Sequence, residues 1–151
     1  MIIASLKEAA EAVGISAFIT NSDEKIDIQL NRLTREEDLP IMLISWDLRA
    51  TVEFDNNGFV MDPPFDVVCL LLTKTDEPVK DDMEEAAASM ATLYINFLQH
   101  LNNTIRIRLR GSETRAVFNV NYQLVPKHGS GHHSGILGKF TLRYPHEVSC
   151  S

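Results

Sequence analysis

The chain has 151 residues, 44% of them apolar and 23% charged, with a net charge of −7. That composition excludes disordered, collagen-like and coiled-coil classes and leaves a single domain over 1–151 with a core of its own. No apolar run approaches the roughly 18 residues needed to span a bilayer, and Met1 to Leu6 gives way too soon to Lys7 and Glu8 to be a secretion signal, so the expectation is a soluble intracellular protein.

Ile2, Ile3, Leu6, Ala9, Ala10 and Val13 fall at helical spacing, and Gly14 follows as a stop. Ile15 to Thr20 and Lys25 to Leu30 read as short strands joined by the turn Asn21-Ser22-Asp23, and Leu33 to Asp38 as a charged loop. Pro40 opens a long extended segment, Ile41 to Phe54, with Trp46 as an anchor of the sheet. Asp55-Asn56-Asn57-Gly58 turns it back, because these residues tolerate positive φ. The returning arm meets Asp62-Pro63-Pro64, which lacks ladder donors, so the hairpin should bend or project with a wet tip. Phe65 to Thr73 is almost continuously apolar, as a central strand covered on both faces would be.

A second helix should begin near Asp76-Glu77-Pro78 or Asp81 and carry the stripe Met83, Ala87, Met90, Tyr94, Phe97, Leu101 to a stop at Asn102-Asn103. Three strands follow by alternation. Ile105, Ile107 and Leu109 alternate with Arg106, Arg108 and Arg110. Phe118, Val120, Tyr122 and Leu124 alternate with Asn119, Asn121 and Gln123, and Phe140, Leu142 and Tyr144 with Lys139, Thr141 and Arg143. Lys127 to Gly135 reads as a mobile loop between the last two. Helices segregated from strands make the fold α+β, a mixed or mostly antiparallel sheet with two helices on one face and a projecting β-hairpin.

Catalytic chemistry has little to stand on. The chain has no Gly-x-Ser-x-Gly elbow, phosphate loop or dinucleotide fingerprint. His128, His132 and His133 could bind a metal, but Gly129, Gly131 and Gly135 oppose a helix there and neither Cys nor carboxylate completes a site. Asp47, Asp62 and Asp66 are explained by turn and strand-end duty. Cys69 lies in the central apolar run and Cys150 in the tail, which suits an inert buried thiol and a reducing compartment. No enzyme activity and no cofactor are expected.

Charge is distributed unevenly. Residues 1–100 hold 7 positive and 19 negative side chains, a balance of −12, and residues 101–151 hold 7 and 2, a balance of +5. If the last three strands pair, Arg106, Arg108, Arg110, Lys139 and Arg143 share one wet face. A nucleic acid could meet that face through its phosphates, yet Phe118, Tyr122 and Phe140 would point away from it and offer no stacking. A second copy could meet it instead, through Asp81, Asp82, Glu84 and Glu85, in a heterologous contact that closes into a ring if the rotation permits. A solvated sheet face is the plain alternative.

The order of elements resembles the tail terminator or tail-completion (neck) proteins of long-tailed bacteriophages and prophages. The resemblance rests on the helix Met1 to Val13, the hairpin around Asp55-Asn56-Asn57-Gly58 and the strand Phe65-Asp66-Val67-Val68-Cys69-Leu70-Leu71-Leu72. It continues through the helix ending Tyr94-Ile-Asn-Phe-Leu-Gln-His-Leu101 and the closing strands; the His-Gly-Ser stretch falls outside it. It implies a cofactor-free virion subunit, assembled in the host bacterial cytoplasm. Such subunits form a ring, often hexameric, that ends the tail tube and faces tube and head-connector proteins.

Overall fold

The computed structural model describes residues 2–20, 40–45, 49–54, 56–59, 61–74, 80–109, 115–128 and 133–145. The expected strand Lys25–Leu30 with its turn, the loop Leu33–Asp38, Trp46, Asp47, the helix start at 76–78, Arg110, His132 and Cys150 lie outside them.

The first helix, α1, runs Ile2–Ala12 and buries Leu6, Ala9 and Ala10. Gly14 ends it in the left-handed region (φ 82°). There the Ile15 amide donates to the Ala10 carbonyl at 2.8 Å and the Gly14 amide to the Glu11 carbonyl at 3.1 Å, which satisfies two of the carbonyls that the last turn leaves open. Five further stretches and a short bridge form one sheet: β1 (Ser16–Thr20), β2 (Ile41–Ser45), β3 (Arg49–Ala50), β4 (Pro64–Lys74), β5 (Val117–His128) and β6 (His133–Arg143). Its order is β1-β2-β4-β6-β5, with β3 continuing beside β4. Among the described residues only β1 and β2 pair in parallel. The result is an α+β fold with a mixed, mostly antiparallel sheet.

The second helix, α2 (Lys80–Arg106), lies with α1 on one face of this sheet. Between helices and sheet sit Leu6, Met42, Ile44, Val67, Leu71, Tyr94, Phe97, Leu101, Ile136, Phe140 and Leu142, all buried. Close approach depends on a missing side chain. A Cβ on Gly138 would stand 2.6 Å from Cζ of Tyr94, so only glycine lets that ring lie over β6, where its hydroxyl donates to the Lys139 carbonyl at 3.4 Å. The opposite face carries a second buried group, Ile41, Leu43, Leu70 and Leu72, flanked by Phe18, Val125 and Leu137. Burial on both faces is what the continuous apolar run of β4 anticipates.

Three features depart from the sequence expectation. Thr104–Arg106 is helix and residues 107–109 form a turn and bend, so the described residues contain two closing strands and not three. Ile105 falls one turn beyond Leu101 on the buried stripe and is itself fully buried, and that burial outweighs the modest helix propensity of Asn102 and Asn103. Asn102 is no stop: its side-chain oxygen accepts from the amides of Ala116 (2.8 Å) and Val117 (3.1 Å), tying α2 to the start of β5. The expected loop Lys127–Gly135 is shorter, since His128 pairs with His133, Ser134 with Thr73 and Gly135 with Leu72 and Val125 inside the ladder.

The third departure is in β5. Its register to β6 slips between Phe118 and Asn121, where Asn119 takes φ 53°. This β-bulge adds one residue and breaks the alternation. Phe118 pairs with Thr141 on the face away from the helices, while Tyr122 pairs with Gly138 and Leu124 with Ile136 on the helix face.

Candidate interaction surfaces

The hairpin grows from the end of β3 and returns into β4. Its arms are joined by the Met61 amide donating to the Glu53 carbonyl (2.9 Å), and its root by the Thr51 amide donating to the Pro64 carbonyl (3.3 Å). Asn56, Asn57 and Gly58, the last at φ 82°, form the exposed turn. The wet tip is accompanied by something less expected. Val52, Phe54 and Phe59 on the arms are 67%, 63% and 70% exposed.

The root is held by Arg143. Its guanidinium donates to the backbone carbonyl of Asp62 at 2.7 Å and to a carboxylate oxygen of Glu53 at 3.3 Å, and it lies 5.6 Å over the ring of Phe118. Its own amide donates to the Ala116 carbonyl (2.7 Å), and the Tyr144 amide to that of Pro63 (3.1 Å). Arg143 is therefore a buried clamp between β6 and both arms of the hairpin, and not a member of a wet basic face. An arginine fork suits this geometry because it can serve a carbonyl and a carboxylate at once.

A second surface lies at the edge strand. Ile95, Leu98, Gln99, Asn102 and Asn103 of α2 and Val117 and Val120 of β5 line an open groove of about 630 Å³. Along the same strand Tyr122 and Leu124 are also close to half exposed, the Tyr122 ring meeting Tyr94 edge-on at 6.2 Å. From Val117 to Val125, β5 carries no charged side chain.

The remaining cations do not converge. Arg106 is exposed in the last turn of α2, where a cation suits the helix C-terminus. Arg108 is exposed in the following turn, 5.6 Å over the ring of Tyr144. Burial opposes ionisation of that tyrosine, but its pKa is held below the ordinary value, the Ser5 hydroxyl at 3.1 Å being the largest of the opposing effects and the Arg108 charge the smallest. Lys139 is exposed on the sheet face away from the helices, in register with Asn121. The five-cation face expected from alternation is thus dispersed: two residues at the end of a helix, one on the far face of the sheet, one buried, and Arg110 outside the described residues. Of the acidic set, Asp81 and Asp82 lie in the first turn of α2, and Glu84 and Glu85 are exposed there.

Other candidates are structural. Asp66 accepts from the Thr141 hydroxyl at 3.1 Å across the β4–β6 pair. His133 is buried in β6, and among the described residues no three His, Cys, Asp or Glu side chains gather as a metal site. Burial pushes the Cys69 thiol up to about 12, against a smaller opposing effect of the Gly138 backbone, so it is a poor nucleophile. No helix in the described residues is long and apolar enough to cross a membrane. Neither a family model nor a curated protein sequence matches this chain.

Sequence reasoning located the hairpin from its turn residues but missed its apolar arms. The signal was present in Val52, Phe54 and Phe59, which bracket Asp55-Asn56-Asn57-Gly58. The groove could not be found that way, because the bulge at Asn119 decides which side chains of β5 line it.

Proposed function

We propose that this chain is a structural, self-associating subunit whose setting is the head-proximal end of a phage tail tube, as a tail terminator or neck protein. The observation that carries the reading is the hairpin 51–61: rooted by Arg143 and extended from the sheet, it exposes two phenylalanines and a valine. Large apolar side chains exposed together on a projecting element suit a surface that an assembly covers. The α+β element order supports the phage setting by resemblance. In that setting the chain forms a ring in the virion, touches tube and connector proteins, and works without a cofactor. Arg106 and Arg108 stay available for a neighbour at the end of α2.

Nucleic acid is the weaker partner, because the cations that would track a phosphate backbone stand on different sides of the molecule. The test is the native mass by light scattering, over a range of protein concentrations and at low and moderate salt. A discrete oligomer supports the reading. A strict monomer at all concentrations, together with salt-sensitive binding to single- or double-stranded DNA, would replace it with the nucleic-acid one.

A further inference from the structure

We infer that one copy inserts its hairpin 51–61 into the α2/β5 groove of the next copy, a heterologous contact that deepens, and rests on, the self-association proposed above. Two sets of apolar side chains stand exposed at separate places on one molecule: Val52, Phe54 and Phe59 on the hairpin, and Ile95 and Val120 in the groove with Tyr122 and Leu124 further along the same strand. In the sheet, β6 lies between β5 and the β4 strand from which the hairpin departs. A protruding patch on one site and a concave patch on another make a head-to-tail contact, in which every copy both gives and receives.

Three observations favour a second copy of this chain as the occupant. The sizes agree: an open groove of about 630 Å³ lies in the range that accepts large side chains. The charges agree: residues 51–61 contain no cation and two acids, Asp55 and the Glu53 already paired with Arg143, whereas exposed Arg106 follows the lining Asn102 and Asn103 by one turn of α2 and exposed Arg115 precedes the lining Val117 by two residues. The area suffices for the centre of a contact, about a third of the roughly 800 Å² that one partner gives to a standard interface. Two phenylalanines exposed at 63% and 70% offer roughly 200–300 Å² between them. That is a proper centre for an interface whose rim is completed by hairpin backbone, Tyr122 and Leu124. Side chains, not strand addition, should make the contact, since the bulge at Asn119 interrupts the exposed edge of β5.

The experiment separates the two patches. One variant carries Phe54→Asp and Phe59→Asp, the other Ile95→Glu and Val120→Glu, all at exposed positions, and circular dichroism with thermal melting checks that each folds. Sedimentation velocity then compares them with the unmodified chain. Each variant alone should associate about 30-fold or more weakly, as loss of a central anchor does. An equimolar mixture should form a 1:1 dimer and stop there, because only the groove of the first and the hairpin of the second remain, and those two fit each other. If either variant assembles like the unmodified chain, or the mixture stays monomeric, the hairpin-in-groove contact is wrong, while an oligomer of the unmodified chain keeps the self-association reading intact. An unmodified chain that remains monomeric up to about 1 mM, the weak limit of specific association, removes both.

Discussion

Phe97 and Phe54 are the same side chain put to opposite uses. Phe97, on α2, is wholly buried and meets Phe140 of β6 edge-on at 6.2 Å, within the layer where helices and sheet close on each other. Phe54, on the hairpin, is 63% exposed. A chain gains much stability from the first and little from the second, and the exposed ring belongs to the surface that the proposed self-association would cover. The layer determines the fold, and the hairpin carries the surface proposed for contact.

The sharpest way to break this contrast is to truncate both rings. Phe97→Ala should cost about 3–5 kcal/mol, through lost transfer energy and a cavity that α2 and β6 cannot close. Phe54→Ala should stay within about 0.5 kcal/mol in a dilute monomer. Urea denaturation of the two variants at low protein concentration checks this. A large loss for Phe54→Ala would mean that the hairpin is part of the core energetics and that its exposure says nothing about partners.

Arg143 joins the two regions and tests whether the hairpin is held or merely attached. Replacing it by Leu removes the donors to the Asp62 carbonyl and the Glu53 carboxylate and the contact over Phe118. The expected cost is about 1–3 kcal/mol, because a buried carbonyl and a half-exposed acid lose their charged partner. The informative readout is local. Amide exchange at Met61, whose N–H bonds to Glu53 across the arms, should accelerate more than exchange in β4. Uniform acceleration would show that the arginine supports the whole sheet and not the hairpin in particular.

Those same residues show how far the sequence could be read. The central strand was legible because Phe65 to Thr73 is almost continuously apolar, interrupted only by Asp66 before Thr73 ends it, a pattern that two-sided burial explains. Gly14 and Asp55-Asn56-Asn57-Gly58 were legible because positive φ restricts residue type. Thr104 to Arg110 was misread because seven residues are too few to separate period 2 from the last turn of a helix: Ile105 satisfies both, and Ile107, 78% exposed, belongs to neither. Arg143 looked like its solvated neighbours in the alternation; its burial follows from facing Pro64 across the ladder, where the hairpin begins. Asn119 and Asn121 are equally suited to the left-handed region, so the choice between them, which sends Phe118 to one face and Val120 with Tyr122 to the other, lies in tertiary pairing.

The smallest effect concerns alkaline pH, and it should touch the layer and leave the hairpin alone. Burial raises the Cys69 pKa from 9.0 to about 12, and burial pushes the Tyr94 hydroxyl above its ordinary range as well. A folded pKa raised above the unfolded one means that the unfolded chain gives up its proton first as pH rises. The stability is therefore whole below pH 9, declines between 9 and about 12 and is lost once the pH passes the folded pKa. Each such group contributes at most about 1.4 kcal/mol per pH unit within its window. Between pH 9 and 10 the loss from Cys69 leads that from Tyr94, whose ordinary pKa is the higher at 10.0, while Tyr144, its folded pKa held low, gives a slope of opposite sign; Cys69→Ala should therefore make the unfolding free energy fall less steeply with pH there. Residues 51–61 contain nothing that titrates above pH 9, and Phe54→Ala should therefore keep the slope of the unmodified chain. An unchanged slope in Cys69→Ala would place the alkaline sensitivity elsewhere and remove the buried thiol as its cause.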